Sequence, residues 1–339
     1  MEGVVDPVLR DLLTSIGGLS QCTTEFIRVV DKINPPHVFY KFCPELNTGG
    51  RTRSGVPVFV QLLGSCPEAL ADNASLAVEL GAPGIDLNFG CPAKTVNRHD
   101  GGATLLKNPD RLYSIISAVK RALAPKSSQS DRVPVTAKVR LGFDSKELCL
   151  DIARAVDSAG ADRLTIHART KTEGYRPPAH WEYIAQMAEV VTGCPVVANG
   201  DIWSVQDYFE VRKVTGLEDV ALGRGLVARP DLALQIRKAL ADEDHTPLSW
   251  KDLEGEILPR FVSESIRLRN ADFALARLKQ WTRLLGRTYP EAQLYFEKIK
   301  TISHSSDHPL PSKLFDAPFK RRRSESSFIS RSFDPRSVR

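Results

Sequence analysis

Short apolar runs rich in strand-forming residues alternate with helix-patterned stretches along residues 22–241, about one pair every thirty residues. The runs fall at Cys22–Ile27, Pro57–Leu62, Gly84–Asn88, Val133–Val139, Arg163–His167, Pro195–Asn199 and Asp219–Leu222. Helical patterns separate them at 67–80, 109–123, 148–159, 181–191, 205–214 and 230–241. Strand cores such as Val58-Phe59-Val60 and Pro195-Val196-Val197-Ala198 are apolar almost without interruption, as parallel strands covered on both faces require. The fold class expected is therefore α/β, a (β/α)8 TIM barrel. Seven strands are legible, whereas a closed barrel takes eight.

Beyond the alternation the pattern turns wholly helical, from about Thr246 to Ile302. Residues 260–300 carry nine Arg and Lys (Arg260, Arg267, Arg269, Arg277, Lys279, Arg283, Arg287, Lys298, Lys300) against four acids. The expected organisation is a barrel over 1–245, a small all-helical domain over 246–302 and a disordered, Ser- and Pro-rich basic tail over 303–339 that includes Lys320-Arg321-Arg322-Arg323. A net charge of +5 permits a polyanionic partner without demanding one. No apolar run is long enough to span a bilayer, and the N-terminus lacks the charged-then-apolar order of a signal peptide. The six cysteines (Cys22, Cys43, Cys66, Cys91, Cys149, Cys194) form no C-x-x-C pair and no His/Cys metal spacing. The expectation is a monomeric cytoplasmic protein with reduced thiols, no membrane partner and no metal.

One cysteine stands apart. Ile85-Asp86-Leu87-Asn88-Phe89-Gly90-Cys91-Pro92-Ala93-Lys94 ends an apolar run in Asn-x-Gly-Cys-Pro, and Gly101-Gly102-Ala103 follows. Gly90 and Pro92 turn the backbone sharply just past a strand end, where barrel enzymes place their chemistry. An isolated cysteine is more often a small buried hydrophobe, but here its backbone is constrained on both sides. The stretch 88–97, continued by Gly101-Gly102-Ala103-Thr104-Leu105-Leu106-Lys107, closely resembles the signature of the tRNA-dihydrouridine synthases, most of all the bacterial C subfamily. The resemblance covers roughly residues 1–300. It implies that FMN, reduced by NADPH, saturates the C5–C6 double bond of a D-loop uridine of tRNA, at position 16. Hydride would pass from flavin N5 to C6, and Cys91 would donate a proton to C5. Met1-Glu2-Gly3-Val4 resembles a family segment that follows the first strand, so the missing strand is expected to be the first and the chain to start inside that segment.

Further candidates sit where the barrel rule puts them. Asn199-Gly200-Asp201 and Gly223-Arg224 follow the last two strands, where backbone N–H groups and a guanidinium can hold a phosphate. By resemblance these positions bind the FMN phosphate. Gln61 and Lys138 would contact the isoalloxazine ring, His167 would lie beside it, and Met1 and Glu2 would complete the cofactor set. A cation at Lys138 would stabilise negative charge gathering on the reduced ring, although a lysine that merely reaches solvent is the bland alternative. Arg169-Thr170-Lys171 and Gly174-Tyr175-Arg176 read as a basic, RNA-facing loop with one aromatic for stacking. The resemblance assigns tRNA contacts to Arg28, Asn88, Tyr175, Arg277 and Lys279. Two rivals stay open: a flavin barrel acting on a small pyrimidine or enone, and a catalytically idle tRNA-binding protein, which would be colourless.

Overall fold

The computed structural model describes residues 3–97, 100–125 and 132–303. The tail expected beyond residue 303 lies outside them. Strands β1 (Cys22–Thr23), β2 (Ile27–Arg28), β3 (Val58–Leu63), β4 (Ile85–Asn88), β5 (Val135–Arg140), β6 (Arg163–His167), β7 (Val196–Asn199) and β8 (Val220–Ala221) form one sheet. From β3 to β8 each strand pairs with the next, and every pair is parallel. Helices Pro67–Glu79, Pro109–Ala122, Cys149–Ser158, Trp181–Glu189 and Val205–Thr215 cross between them, and Leu232–Leu240 follows β8. This is the strand and helix order of a (β/α)8 TIM barrel. Among the described residues no strand joins β8 to β1, so the described sheet ends at those two edges.

β1 and β2 are two halves of one strand. Both lie along β3, at Val58–Phe59 and at Leu62–Leu63 respectively. Between them the Gln61 N–H donates to the Thr24 hydroxyl at 3.0 Å, a side chain standing in for a ladder carbonyl. The break turns Phe26 inward against Leu63, Cys91 and Val96.

The strands divide their side chains by parity. Val58, Val60, Leu62, Ile85, Leu87, Val135, Ala137, Val139, Leu164 and Ile166 are almost wholly buried and belong to the core shared with the helices. The alternate positions carry Gln61, Asp86, Asn88, Thr136, Lys138, Arg140, Thr165 and His167, and the register sets them side by side. A strand's period of two thus yields an apolar shell and a polar lining from one sequence. Strands that read as apolar throughout are in fact alternating near their carboxyl ends.

The C-terminal helices Leu258–Leu268, Ala271–Leu285 and Pro290–Ile299 pack on one another and on the barrel. Trp281 is buried against Phe261 with ring centres 4.7 Å apart, and its indole N–H donates to the Val227 carbonyl at 3.0 Å. Arg277 binds this layer to the start of the chain. Its Nε donates to Asp6 Oδ2 at 2.9 Å, and its Nη atoms donate to the carbonyls of Gly3 (2.8 Å) and Val4 (2.6 Å). Asp6 also caps helix Pro7–Ile16 through Leu9 N–H at 2.9 Å. No described helix is long and apolar enough to cross a membrane.

Removing one partner of a buried ion pair strands the other charge. Arg277→Met should therefore lower unfolding stability by roughly 3 kcal/mol, read as a fall in the urea midpoint. Adding Asp6→Asn should recover part of that loss. An unchanged midpoint in the single variant would show that the pair does not staple the helices to the barrel.

Candidate active site

The polar lining converges at the carboxyl ends of β3 to β7. Gln61, Asp86 and Thr136 share one register row, Asn88, Lys138 and Thr165 the next, and Arg140, His167 and Asn199 lie at the rim. Asp86, only 4% exposed, accepts from Gln61 Nε2 at 2.7 Å and from Thr136 Oγ1 at 2.5 Å. Burial holds its pKa above the usual carboxylate range, while those two hydrogen bonds oppose the shift.

Cys91 follows β4 on a turn fixed at several points. Asn88 Oδ1 accepts from Gly90 N–H at 3.0 Å, and the Gly90 carbonyl accepts from Arg140 Nε at 2.7 Å. The Cys91 carbonyl accepts from Asn97 Nδ2 at 2.9 Å and from Ala103 N–H at 3.2 Å. Gly102 presses against this turn with φ +59°, and a Cβ there would fall 2.9 Å from the Cys91 carbonyl oxygen. The thiol is buried beside Phe26, Leu63 and Val96.

Positive charge dominates the rest of the site. Burial first, then Arg140, pushes the Lys138 ammonium down to about 8, with Asp86 and Cys91 opposing. His167 is driven far below the ordinary imidazole range, by burial first and then by Lys138, Arg140, Arg169 and Arg224. It is therefore neutral. Arg140 Nη1 lies 3.2 Å from His167 Nδ1, and a guanidinium only donates, so Nδ1 is the acceptor and Nε2 carries the proton.

Arg169 does not face solvent as its loop position suggested. Its side chain is fully buried, donating from Nε to the Arg176 carbonyl at 2.6 Å and pairing with Asp201. Asp201 also faces Arg224 at 3.6 Å. The loops after β7 and β8 meet closely here, since a Cβ on Gly225 would fall 1.9 Å from the Ile202 carbonyl oxygen. Arg224 stacks on Tyr175 at 4.2 Å and on Trp203 at 5.3 Å, and Arg287 reaches Trp203 from the other side at 4.8 Å. Tyr175 is 52% exposed.

The residues expected from sequence divide in two. Gln61, Asn88, Cys91, Lys138, His167, Asn199, Gly200, Asp201, Gly223, Arg224 and Tyr175 come together at this rim. Arg28 ends β2 and is exposed. Arg277 lies elsewhere, its guanidinium engaged by Asp6 and backbone carbonyls, and Lys279 Nζ binds the Ile302 carbonyl. Met1 and Glu2 lie outside the described residues. Sequence reasoning passed over Arg140, Asp86 and Trp203. The first two share a strand face with Lys138 and Asn88 by the two-residue period, a signal that was there to be used.

A parallel α/β barrel with its reactive groups at the carboxyl rim defines a barrel enzyme. Residues 1–266 match the family model described as dihydrouridine synthase, and the chain belongs to that family. It is 51% identical over 300 residues to a tRNA-dihydrouridine(16) synthase of Aquipseudomonas alcaligenes, covering 88% of this chain and 93% of that one. The protein of that name from Pseudomonas putida is 52% identical over 300 residues (88% and 90%), and the one from Shewanella oneidensis 45% over 300 (88% and 91%).

Lys138 should titrate near its depressed value in the isolated protein. Competitive acetylation across pH should give Lys138 half-reactivity at about 8, and Arg140→Leu should raise that midpoint by removing a repelling cation. A midpoint close to that of exposed lysines would contradict the crowded, dry environment described here.

Proposed function

We propose that this protein is a cytoplasmic, monomeric, FMN-dependent tRNA-dihydrouridine synthase that uses NADPH and acts on uridine 16 of the D-loop. The observation that carries the reading is a buried thiol, Cys91, electrostatically coupled to Lys138 and Arg140 at the rim of a cation-lined barrel. The site also suits a phosphate-bearing cofactor. Arg169 Nη1 is buried with no hydrogen-bond partner among the described residues, and Arg224 stands beside it with Asp201 between them. Four cations bear on His167, so a dianionic phosphate held by Asn199-Gly200-Asp201 and Gly223-Arg224 would balance them. Gln61, Lys138 and His167 would hold the ring. When bound, FMN supplies the hydride that saturates C6 of the uracil.

The chain's own residues do the rest. Cys91 holds a proton at Sγ for C5, and the wall of Phe26, Leu63 and Val96 keeps bulk water from competing for it. His167, neutral with its proton on Nε2, serves as a hydrogen-bond donor and not as an acid. Asn88 and Arg140 border the space a base would enter. Tyr175, exposed and backed by Arg224, offers a stacking face.

The tRNA assignment draws on the relatives' names and on the basic helices over 246–302, taken as a tRNA-binding unit. Exposed Arg28 fits an RNA contact. Arg277 and Lys279 would support such contacts from beneath, given their engagement with the chain's own carbonyls. A uridine inside folded tRNA must leave its stack to reach this rim.

Cys91→Ala should keep bound flavin reducible by NADPH while lowering dihydrouridine formation about 10²- to 10⁴-fold. The assay is mass spectrometry of tRNA, with the product located at position 16. Binding of tRNA should weaken linearly in log–log dependence on salt. Full activity in the variant would remove the thiol from the chemistry, and product at another position would overturn the site assignment.

A further inference from the structure

The buried carboxylate of Asp86 has no part of its own in the proposed chemistry, yet it begins a continuous line of directed hydrogen bonds. Gln61 Nε2 donates to Asp86 Oδ2 at 2.7 Å. Asn88 Nδ2 donates to Gln61 Oε1 at 2.9 Å. Gly90 N–H donates to Asn88 Oδ1 at 3.0 Å. The line crosses from β4 to β3 and back, ending on the residue before Cys91.

Each amide in this line could be turned over, exchanging its donor and acceptor ends. The two ends cannot be: the Gly90 N–H only donates and so holds Asn88 Oδ1. An ionised carboxylate only accepts, so Asp86 draws the Nε2 end of Gln61 towards itself. That leaves Oε1 facing Asn88, which must then present Nδ2 to Gln61 and Oδ1 to the Gly90 N–H. We infer that Asp86 is a positioning residue: as a fixed acceptor it sets the orientation of the Gln61 and Asn88 amides and, through them, the turn that holds Cys91. Its hold on the turn is shared at the far end by Arg140 Nε, which donates to the Gly90 carbonyl.

Burial raises the Asp86 pKa, but every group facing it opposes that rise and meets it as an acceptor. Thr136 Oγ1 lies 2.5 Å from Asp86 Oδ1 but 3.4 Å from the alternative Ile85 carbonyl, so its proton goes to the carboxylate. Arg163 and Lys138 supply positive charge from β6 and β5. Both carboxylate oxygens therefore accept, and neither faces another acceptor among the described residues. The consequence for catalysis rests on the proposed function, because it assigns Cys91 the proton and Gln61 the cofactor. The positional claim does not.

The test reads Cys91 directly. Asp86→Asn keeps the shape but brings a donor; while Thr136 donates to Oδ1, the new N–H opposes Gln61 Nε2, and the line loses its fixed acceptor at the end away from Gly90. Iodoacetamide labelling of the full chain, read by peptide mapping, should then show Cys91 alkylated at least fivefold faster than in the unsubstituted protein, because the turn that buries it is loosened. Adding Gln61→Glu moves the fixed acceptor one step along the line, where it accepts from Asn88 again; the alkylation rate should return to within twofold. Asp86→Leu, which cannot accept in any rotamer, should alkylate as fast as Asp86→Asn, and melting curves confirm that each variant is folded. An unchanged Cys91 rate in both single variants overturns the inference. So does a raised rate that the added Gln61→Glu fails to reverse, since that would be general loosening. The labelling needs neither flavin nor tRNA, so its failure stays distinct from any failure of the proposed activity. If both hold, Asp86→Asn should also lower kcat for dihydrouridine formation at least tenfold with KM for tRNA within twofold.

Discussion

Cations gathered in a place that water hardly reaches are the constraint on which the rest of the site depends. Lys138, Arg140, Arg169 and Arg224 all bear on one imidazole. Two unit charges 4 Å apart at an effective dielectric constant of 20 repel by about 4 kcal/mol, so the cluster needs compensation. Part of it comes from backbone carbonyls turned inward by the loops: Gly90, Thr170 and Gly174 accept from Arg140, and Arg176 from Arg169. Part comes from Asp201, shared between Arg169 and Arg224. The remainder is visible as a buried Arg169 Nη1 with no acceptor among the described residues. A site built this way is preorganised for negative charge.

The same crowding assigns roles by exclusion. A histidine held neutral between arginines cannot serve as an acid at ordinary pH, and a lysine titrating near 8 is still cationic below that value. The rim also has an apolar flank. Cys91 occupies that side, against Phe26, Leu63 and Val96. The interruption between β1 and β2 matters for this reason. Were Thr24 to bond as regular backbone and the strand to run unbroken, Phe26 would follow the pleat and could not turn in to wall the thiol.

How much of this was legible in the sequence varies with the range of the forces involved. Strands and helices were, because parity, helical period and punctuating Gly and Pro are local; Arg163–His167 emerges with the bounds the pattern gave it. The strand-end residues were legible too, since barrel topology alone sends Gln61, Lys138, His167 and Asn199 to one rim. Orientation in loops was not. Arg169 reads as a solvent-facing basic residue until Asp201, 32 positions later, and the Arg176 carbonyl claim its guanidinium. Arg277 reads as part of a basic surface until Asp6, 271 positions earlier, buries it. In both cases the sequence holds the charge but not the partner, and the partner decides which way the charge points.

The Arg277 staple also bears on how a large substrate would meet the rim. Helix Ala271–Leu285 is fixed to the barrel at both the chain start and Val227, through a buried ion pair and the Trp281 indole. The next turn brings Arg287 onto Trp203, which shares Arg224 with Tyr175. Separating helices from barrel would strand Asp6 and expose Trp281, each a cost of several kcal/mol, so the two are held in one arrangement before any ligand arrives. A nucleic acid meeting so fixed a surface would have to supply the deformation itself. The part best able to do so is a loop nucleotide, whose unstacking costs only a few kcal/mol, and an unstacked base is also the form that a thiol on one side and a flat ring on the other would require.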